Sequence, residues 1–321
     1  MSATNKPRAL VLVNPRAGRG NRAQRGARDV IQHWRRWGWQ VEVQAPRRRA
    51  VVPEIVRAAA RRGVHVVLAA GGDGTYRLVA EGLLGTEAAL APLPLGSRNV
   101  LAQALGAPMP GPGWRWRWPR WLHALAQGHA CPYPVARVNG HLFLSWAGWG
   151  FDAAVVHALE RARRGPRGGV VLRYLAAGWR IARKWPGFWR RDDETGPWWM
   201  GLLYQQPRYA GGYVRLPRPR GTGWWLWWVP GHGMFGLLHA LRGLIRGHHA
   251  PREHGFMPAQ PGSWHFDRAI PLHVDGDPAP IATRVHWKPE PRALWLWVPH
   301  GHPFGPECYN RITANSGAEG T

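Results

Sequence analysis

The chain has 321 residues, 45% of them hydrophobic, with 43 Lys and Arg against 18 Asp and Glu and a formal net charge of +25. That balance supports a packed core of one large or two ordinary domains and excludes a chain disordered throughout. No apolar run reaches the roughly 18 residues of a membrane-crossing helix. The two cysteines, Cys131 and Cys308, have no metal-like spacing. They read as reduced thiols of a cytoplasmic chain, in keeping with an N-terminus that lacks a secretory signal pattern.

The first 105 residues alternate between strand and helix patterns. ALVLVN (Ala9–Asn14) is a short buried strand, and 21–37 carries Val30, Ile31, Trp34 and Trp37 at helical spacing before Gly38. WQVEVQA (Trp39–Ala45) alternates as a strand, a helix follows over 51–62, and HVVLAAGG (His65–Gly72) is the third strand. A helix over 75–84, a strand over 90–96 and the start of a fourth helix complete the series. Repeated βα units predict a parallel sheet with helices on both faces, with ligands bound beyond the carboxyl ends of the strands. After residue 108 the pattern changes. Residues 109–130 are rich in Pro and Gly and read as a linker or surface loop. From 131 to 305 short strand candidates dominate, interrupted by helices near 168–184 and 235–247, which predicts a mostly antiparallel β second domain. Residues 306–321 read as a tail.

The excess of cations points to an anionic partner, with a solvated arginine surface as the competing account. The 22 tryptophans often sit beside arginine, as in GWRWRWPRW (Gly113–Trp121), or in pairs, as in GWWLWWVP (Gly223–Pro230). Trp with Arg suits a membrane interface, and it also suits stacking on single-stranded bases. No nucleic-acid-binding module accompanies them, so no nucleic-acid partner is expected. The loosely clustered His232, His248, His249, His254, His300 and His302 lack metal-ligand spacing and read as surface or loop residues.

Three loops at successive strand ends carry the chemistry. In GGDGT (Gly71, Gly72, Asp73, Gly74, Thr75), glycine lets backbone amides approach an anion, and the helix that follows offers its positive N-terminus. Asp73 repels phosphate, so it either organises Mg²⁺ indirectly, orients a hydroxyl, or merely caps a turn. GSRN (Gly96, Ser97, Arg98, Asn99) and NPRAG, which begins at Asn14, repeat the arrangement at the neighbouring strands.

The ordered set VNPRAG, AAGGDGTYRLVAEGLL and LPLGSRNVLAQALG resembles the catalytic domain of diacylglycerol and sphingoid-base lipid kinases, particularly the bacterial soluble type. NGHLFLSWAGWGFDAAVV, RYAGGYVRLPRPR and LHVDGDP resemble that family's second-domain elements, so the likeness runs from about Leu10 to Pro299. The resemblance implies an α/β nucleotide-binding domain over 1–108, a β-rich lipid-substrate domain, and ATP in the cleft between them. It implies that Asn14 lies near the nucleotide and that Gly71, Gly72, Asp73, Gly74, Thr75, Gly96, Ser97 and Asn99 hold its phosphates. Asp73 would organise Mg²⁺, Asp152 would support the site from the second domain, and Asp277 would stand where the family carries a glutamate proposed as general base. Asp275 would be structural. Arg98 and Val100 replace residues usual at their positions, and Thr222-Gly223 replaces an Asp-Gly whose Asp helps bind a structural Mg²⁺, so no metal ligand is assigned there. The implied activity is transfer of the γ-phosphate of ATP to a lipid hydroxyl, with Mg²⁺ as cofactor. The enzyme would work from the cytoplasm at the inner face of an anionic membrane. The alternative is a catalytically weak or inactive relative that binds nucleotide or anionic lipid.

Overall fold

The computed structural model describes residues 6–17, 22–96, 98–109, 113–161, 170–191, 196–209, 214–217, 223–246, 249, 252 and 255–302. It divides into two units, 1–134 with 290–321, and 135–289.

The first unit runs β1 (Arg8–Val13), α1 (Arg22–Arg36), β2 (Gln40–Gln44), a 3₁₀ turn (Arg49–Val51), α2 (Val52–Arg61), β3 (Val66–Gly71), α3 (Asp73–Leu83), β4 (Ala89–Pro94), α4 (Val100–Ala104), α5 (Trp114–Ala126) and β5 (His129–Tyr133). The last strand of the described chain, β16 (Leu294–Val298), returns to this unit. The sheet order is β2-β1-β3-β4-β16-β5, parallel throughout except for β5, which runs antiparallel to β16. Every residue of VVLAAG in β3 and ALAPLP in β4 is buried. Unbroken apolar strands of this kind belong to the centre of a sheet covered on both faces.

Two expectations differ here. The stretch 109–130 is not a linker, because α5 occupies 114–126. Trp118, Trp121, Leu122 and Leu125 recur at helical spacing and are all buried. Trp118 stacks between Trp114 and Trp121, at ring distances of 4.5 and 5.4 Å, around the intrahelical Pro119. β5 and β16, expected in the second domain, complete the first sheet instead. Their pairing is long-range, and nothing local in ALWLWVP marks its partner as β4.

The second unit runs β6 (Ala136–Val138), β7 (His141–Phe143), β8 (Trp146–Gly150), α6 (Phe151–Arg161), α7 (Val170–Ala182), β9 (Trp198–Tyr204), the short pair β10 (Arg208–Tyr209) and β11 (Val214–Arg215), β12 (Trp225–Pro230), α8 (Gly233–Arg246), β13 (Phe256–Pro258), β14 (Gly262–Val274) and β15 (Asp277–Pro289). Eight strands form one sheet in the order β13-β12-β9-β8-β14-β15-β6-β7, with every pairing antiparallel. Its core is aromatic. Trp149 stacks on Trp264 at 5.2 Å and meets Trp228 edge-on at 5.4 Å, and Trp224 packs against Phe143. Ring pairs in these geometries add about 0.5–1.5 kcal/mol each beyond area burial.

The tryptophans of GWWLWWVP therefore do not form a membrane-facing patch, because Trp224, Trp227 and Trp228 are buried. In GWRWRWPRW, Trp118 and Trp121 are buried, Trp114 is half-buried and Trp116 is exposed. Consecutive residues of β12 from Leu226 to Val229 are buried, so both faces of this strand are covered, Trp227 lying under Gly243 of the helix that follows.

Candidate functional site

Three loops leave the carboxyl ends of adjacent parallel strands in the first unit, and their side chains tie them together. After β1, the Asn14 amide donates to Thr75 Oγ1 at 3.0 Å, while Asn14 Oδ1 accepts the Arg16 backbone amide at 3.0 Å. After β3, Gly72 enters α3 from an extended conformation, and the Thr75 and Tyr76 amides return to its carbonyl. The Tyr76 hydroxyl faces the Gly71 and Leu93 carbonyls at 3.0 and 2.8 Å and Asn99 Oδ1 at 3.3 Å. Burial first, and the Asp73 carboxylate second, hold its pKa well above the ordinary phenol value, so it remains a donor. After β4, Asn99 takes a left-handed conformation at φ 54° and is fully buried. Its side chain bonds back to both the amide and the carbonyl of Gly96.

Asp73 answers the puzzle of a carboxylate in a glycine loop. Its Oδ1 accepts the backbone amides of Val100 at 2.8 Å and Leu101 at 3.4 Å, across the neighbouring loop. Asn99, the residue at the N-cap of α4, makes no side-chain cap of its own. Asp73 supplies that cap from another strand end and gains the favourable end of the helix for its charge.

The glycines also have a reason beyond ligand approach. A Cβ on Gly96 would sit 2.5 Å from the Gly72 Cα, and one on Gly71 would sit 2.4 Å from Thr75 Oγ1. The second and third loops touch backbone to backbone, so Gly96 cannot carry a side chain there, and one on Gly72 would press on the Gly96 Cα at 3.3 Å. Three cations accompany these loops: Arg16, the half-buried Arg98, and Arg49, whose guanidinium lies 3.5 Å from the Gly74 carbonyl. Arg49 belongs to the 3₁₀ turn before α2 and has no mark in the sequence that singles it out among so many arginines.

In the second unit, Asp152 lies in the first turn of α6, and its Oδ2 touches Nε2 of the fully buried His273 on β14. The Gly276 amide faces His273 Nδ1 at 3.4 Å, which leaves Nε2 to donate to the carboxylate. Gly148, paired with His273 in the sheet, makes room for both, since a Cβ there would lie 2.4 Å from Nε2 and 2.6 Å from Oδ2. Asp275 and Gly276 form a two-residue hairpin turn with φ 49° and 77°, the left-handed pair that Asp-Gly favours. The Asp275 carboxylate accepts the amides of Leu144, Ser145 and Trp146 at 2.8, 2.8 and 3.2 Å. Asp277 opens β15 opposite Val274, and the pleat puts its side chain on the Val274 face, away from His273.

The sequence-derived residues thus fall into two groups. Asn14, Gly71, Gly72, Asp73, Gly74, Thr75, Gly96 and Asn99 gather in the first unit. Asp152 and Asp277 lie in the second, with Asp152 joined to His273 and Asp277 at the start of β15. Ser97 and Thr222 lie outside the described residues, as do His248 and His254. Sequence reasoning missed His273. Its signal was a lone polar residue inside a buried strand, between Leu272 and Val274. Among the described residues no three His, Cys, Asp or Glu gather as a metal cluster.

Residues 8–137 match the family model described as the diacylglycerol kinase catalytic domain. A protein named "Probable lipid kinase YegS-like" from Pseudomonas putida is 34% identical over 132 residues, 40% of this chain and 41% of that protein. A protein named "Diacylglycerol kinase" from Bacillus subtilis is 30% identical over 145 residues, 44% of this chain and 46% of that protein. The chain thus matches less than half the length of these curated relatives. A crystal structure titled as a diacylglycerol kinase from Bacillus anthracis superposes with a TM-score of 0.60 and 18% identity, covering 89% of this chain and 95% of that one. This last likeness concerns the fold, which extends over both units. Residues 8–137 of this chain are thus similar to the diacylglycerol kinase catalytic domain.

Proposed function

We propose that the chain is an ATP-dependent lipid kinase that transfers the γ-phosphate of ATP to a hydroxyl of a diacylglycerol-like or sphingoid-like lipid at the surface of an anionic membrane. The observation that carries this reading is the union of the three loops at adjacent strand ends within the family's catalytic domain. Gly72 and Gly96 meet with no side chain between them, so the loop edge is built from backbone. An edge of this kind, beside the N-terminus of α3 and the cations Arg16, Arg49 and Arg98, fits a polyphosphate. Mg²⁺ carried by phosphates needs only one or two protein carboxylates, and Asp73 is the one placed among the loops.

When bound, such a nucleotide supplies a phosphoryl group for in-line transfer to an alcohol, with Mg²⁺ offsetting the charge. The protein's part is to position and to accept a proton. Asn14 and Thr75 lock the first loop to the second, and Asp73 fixes the second to the third. In the second unit, Asp277 is the candidate acceptor of the lipid hydroxyl proton, while Asp152, held by His273, is a positioning residue. Among the described residues no helix is long and apolar enough to cross a membrane, and a peripheral enzyme that meets its lipid at the bilayer surface needs none.

The test is incubation with radiolabelled ATP, Mg²⁺ and a total lipid extract. A labelled lipid that is lost with Asp73→Asn supports the kinase. Protein that binds ATP saturably yet labels no lipid class would instead be a nucleotide-binding relative without turnover.

A further inference from the structure

Among the described residues of the second unit, four exposed large apolar side chains gather on one face of α8 rather than in its tryptophan runs. A surface helix normally buries its large apolar residues. Here the opposite holds. The buried residues are Gly236, Ala240 and Gly243, and the helix is pressed flat on the sheet through them. A Cβ on Gly236 would lie 2.1 Å from the Trp199 ring, and Gly243 faces Trp227. The large residues point outward, with Phe235 64%, Leu238 60%, Leu241 47% and Ile245 73% exposed. At about 100° per residue these four cover roughly 120° of the helix circumference. At the Phe235 edge of this arc, at spacings of three and four residues, runs an exposed row of His239, Arg242 and Arg246. The helix contains no acidic residue.

We propose that α8 is the segment by which this protein docks on an anionic lipid bilayer, lying in the plane of the interface with its four apolar side chains among the acyl chains and its basic row on the headgroups. Charge selects the occupant. A second copy of the chain would set Arg242 and Arg246 against the same arginines, whereas anionic headgroups complement them. The neighbouring α7 adds to the surface, since its Trp179 is 57% exposed and Arg183 and Lys184 follow in the open. The start of α8 is tied to this region by the Gly233 amide, which donates to the Trp185 carbonyl at 2.7 Å. The docking face has its purpose under the lipid-kinase reading, on which it rests, yet binding is measurable without turnover.

The experiment is sedimentation of the full chain with phosphatidylglycerol–phosphatidylcholine vesicles and with pure phosphatidylcholine vesicles. Wild type should bind the anionic vesicles. Leu238→Gln with Ile245→Gln should weaken that binding at least about tenfold. Arg242→Gln with Arg246→Gln should weaken it about fivefold per charge, and only on the anionic vesicles. All four positions are solvent-exposed, and unchanged thermal unfolding confirms that the variants fold. Variants that bind as wild type does would overturn the proposal. So would a wild-type dimer that Leu238→Gln with Ile245→Gln converts to monomer, because the face would then be a self-association surface. Phosphorylation of a short-chain, water-soluble diacylglycerol separates the two readings. If α8 only docks, the variants keep that activity. If wild type binds vesicles but phosphorylates neither this diacylglycerol nor any lipid of a total extract, the kinase reading fails and the docking face stands.

Discussion

The loop ends of the parallel sheet and the hairpin end of the antiparallel sheet each hold one carboxylate against backbone amides, and they do so for different ends. Asp73 reaches across to Val100 and Leu101 and joins the second loop to the third, alongside the Gly72–Gly96 backbone contact and the Tyr76 hydroxyl on Asn99. Asp275 is 7% exposed, sits in its own left-handed turn and ties the turn before β8 to the hairpin. The first belongs to a surface built largely of main chain, where Asn14, Asp73 and Tyr76 link one loop to another. The second belongs to a surface built of side chains, with His273 and Asp152 in contact behind the hairpin. The contrast teaches that a carboxylate in a glycine-rich motif need not be there only for a ligand. Asp73 has a structural task, and any chemical task must be separable from it.

The largest expected effect breaks the structural side of this comparison. Asp275→Ala removes the acceptor of three amides and leaves a non-glycine residue at positive φ, so stability should fall by about 3 kcal/mol or more, read by denaturant unfolding. Asp73→Asn sharpens the other side. The amide oxygen keeps the cap on Val100 while the charge is lost. Stability should then hold within about 1 kcal/mol, while the kinase rate falls about a hundredfold, or roughly 2.7 kcal/mol in the barrier. A variant with full activity would reduce Asp73 to a cap.

Smaller effects test the contact between loops. Gly96→Ala drives a Cβ into the Gly72 backbone, where no flexible side chain can yield. It should cost about 1–3 kcal/mol and weaken ATP binding. Tyr76→Phe should cost about 1 kcal/mol at neutral pH through the lost hydroxyl. Because the folded-state pKa of Tyr76 is raised, chiefly by burial, its contribution is complete below the unfolded value near 10 and is lost as pH rises above it. Wild type should therefore lose stability above pH 10 faster than Tyr76→Phe does, as followed by circular dichroism across that range.

Much of the first unit was legible in the sequence, because apolar strands buried on both faces and helices stopped by Gly38 and Gly63 leave local marks. The loops were legible as a set, since glycine at three successive strand ends is a local pattern. The reason for the glycines was not, because the contact of Gly72 with Gly96 joins two strand ends that only the sheet brings together. The helix α5 was hidden by Pro119 and by flanking Pro and Gly, although Trp118, Trp121, Leu122 and Leu125 already had its period. The tryptophans misled in a physical way. An indole serves a membrane interface and an aromatic core equally well, and only strand pairing decides which, as it does for Trp227 and Trp228. The face of α8 was unreadable for the converse reason. Its periodicity is that of any amphipathic helix, and which face is outward depends on the Trp199 and Trp227 rings beneath it.

The most direct test of the central claim is calorimetric titration of ATP with Mg²⁺ into wild type and Gly96→Ala. The account predicts saturable binding by wild type at one site and at least about tenfold weaker binding by a variant that still unfolds cooperatively. Wild type that binds no ATP, or a variant that binds it equally well, would contradict a nucleotide site built from the contact of these loops.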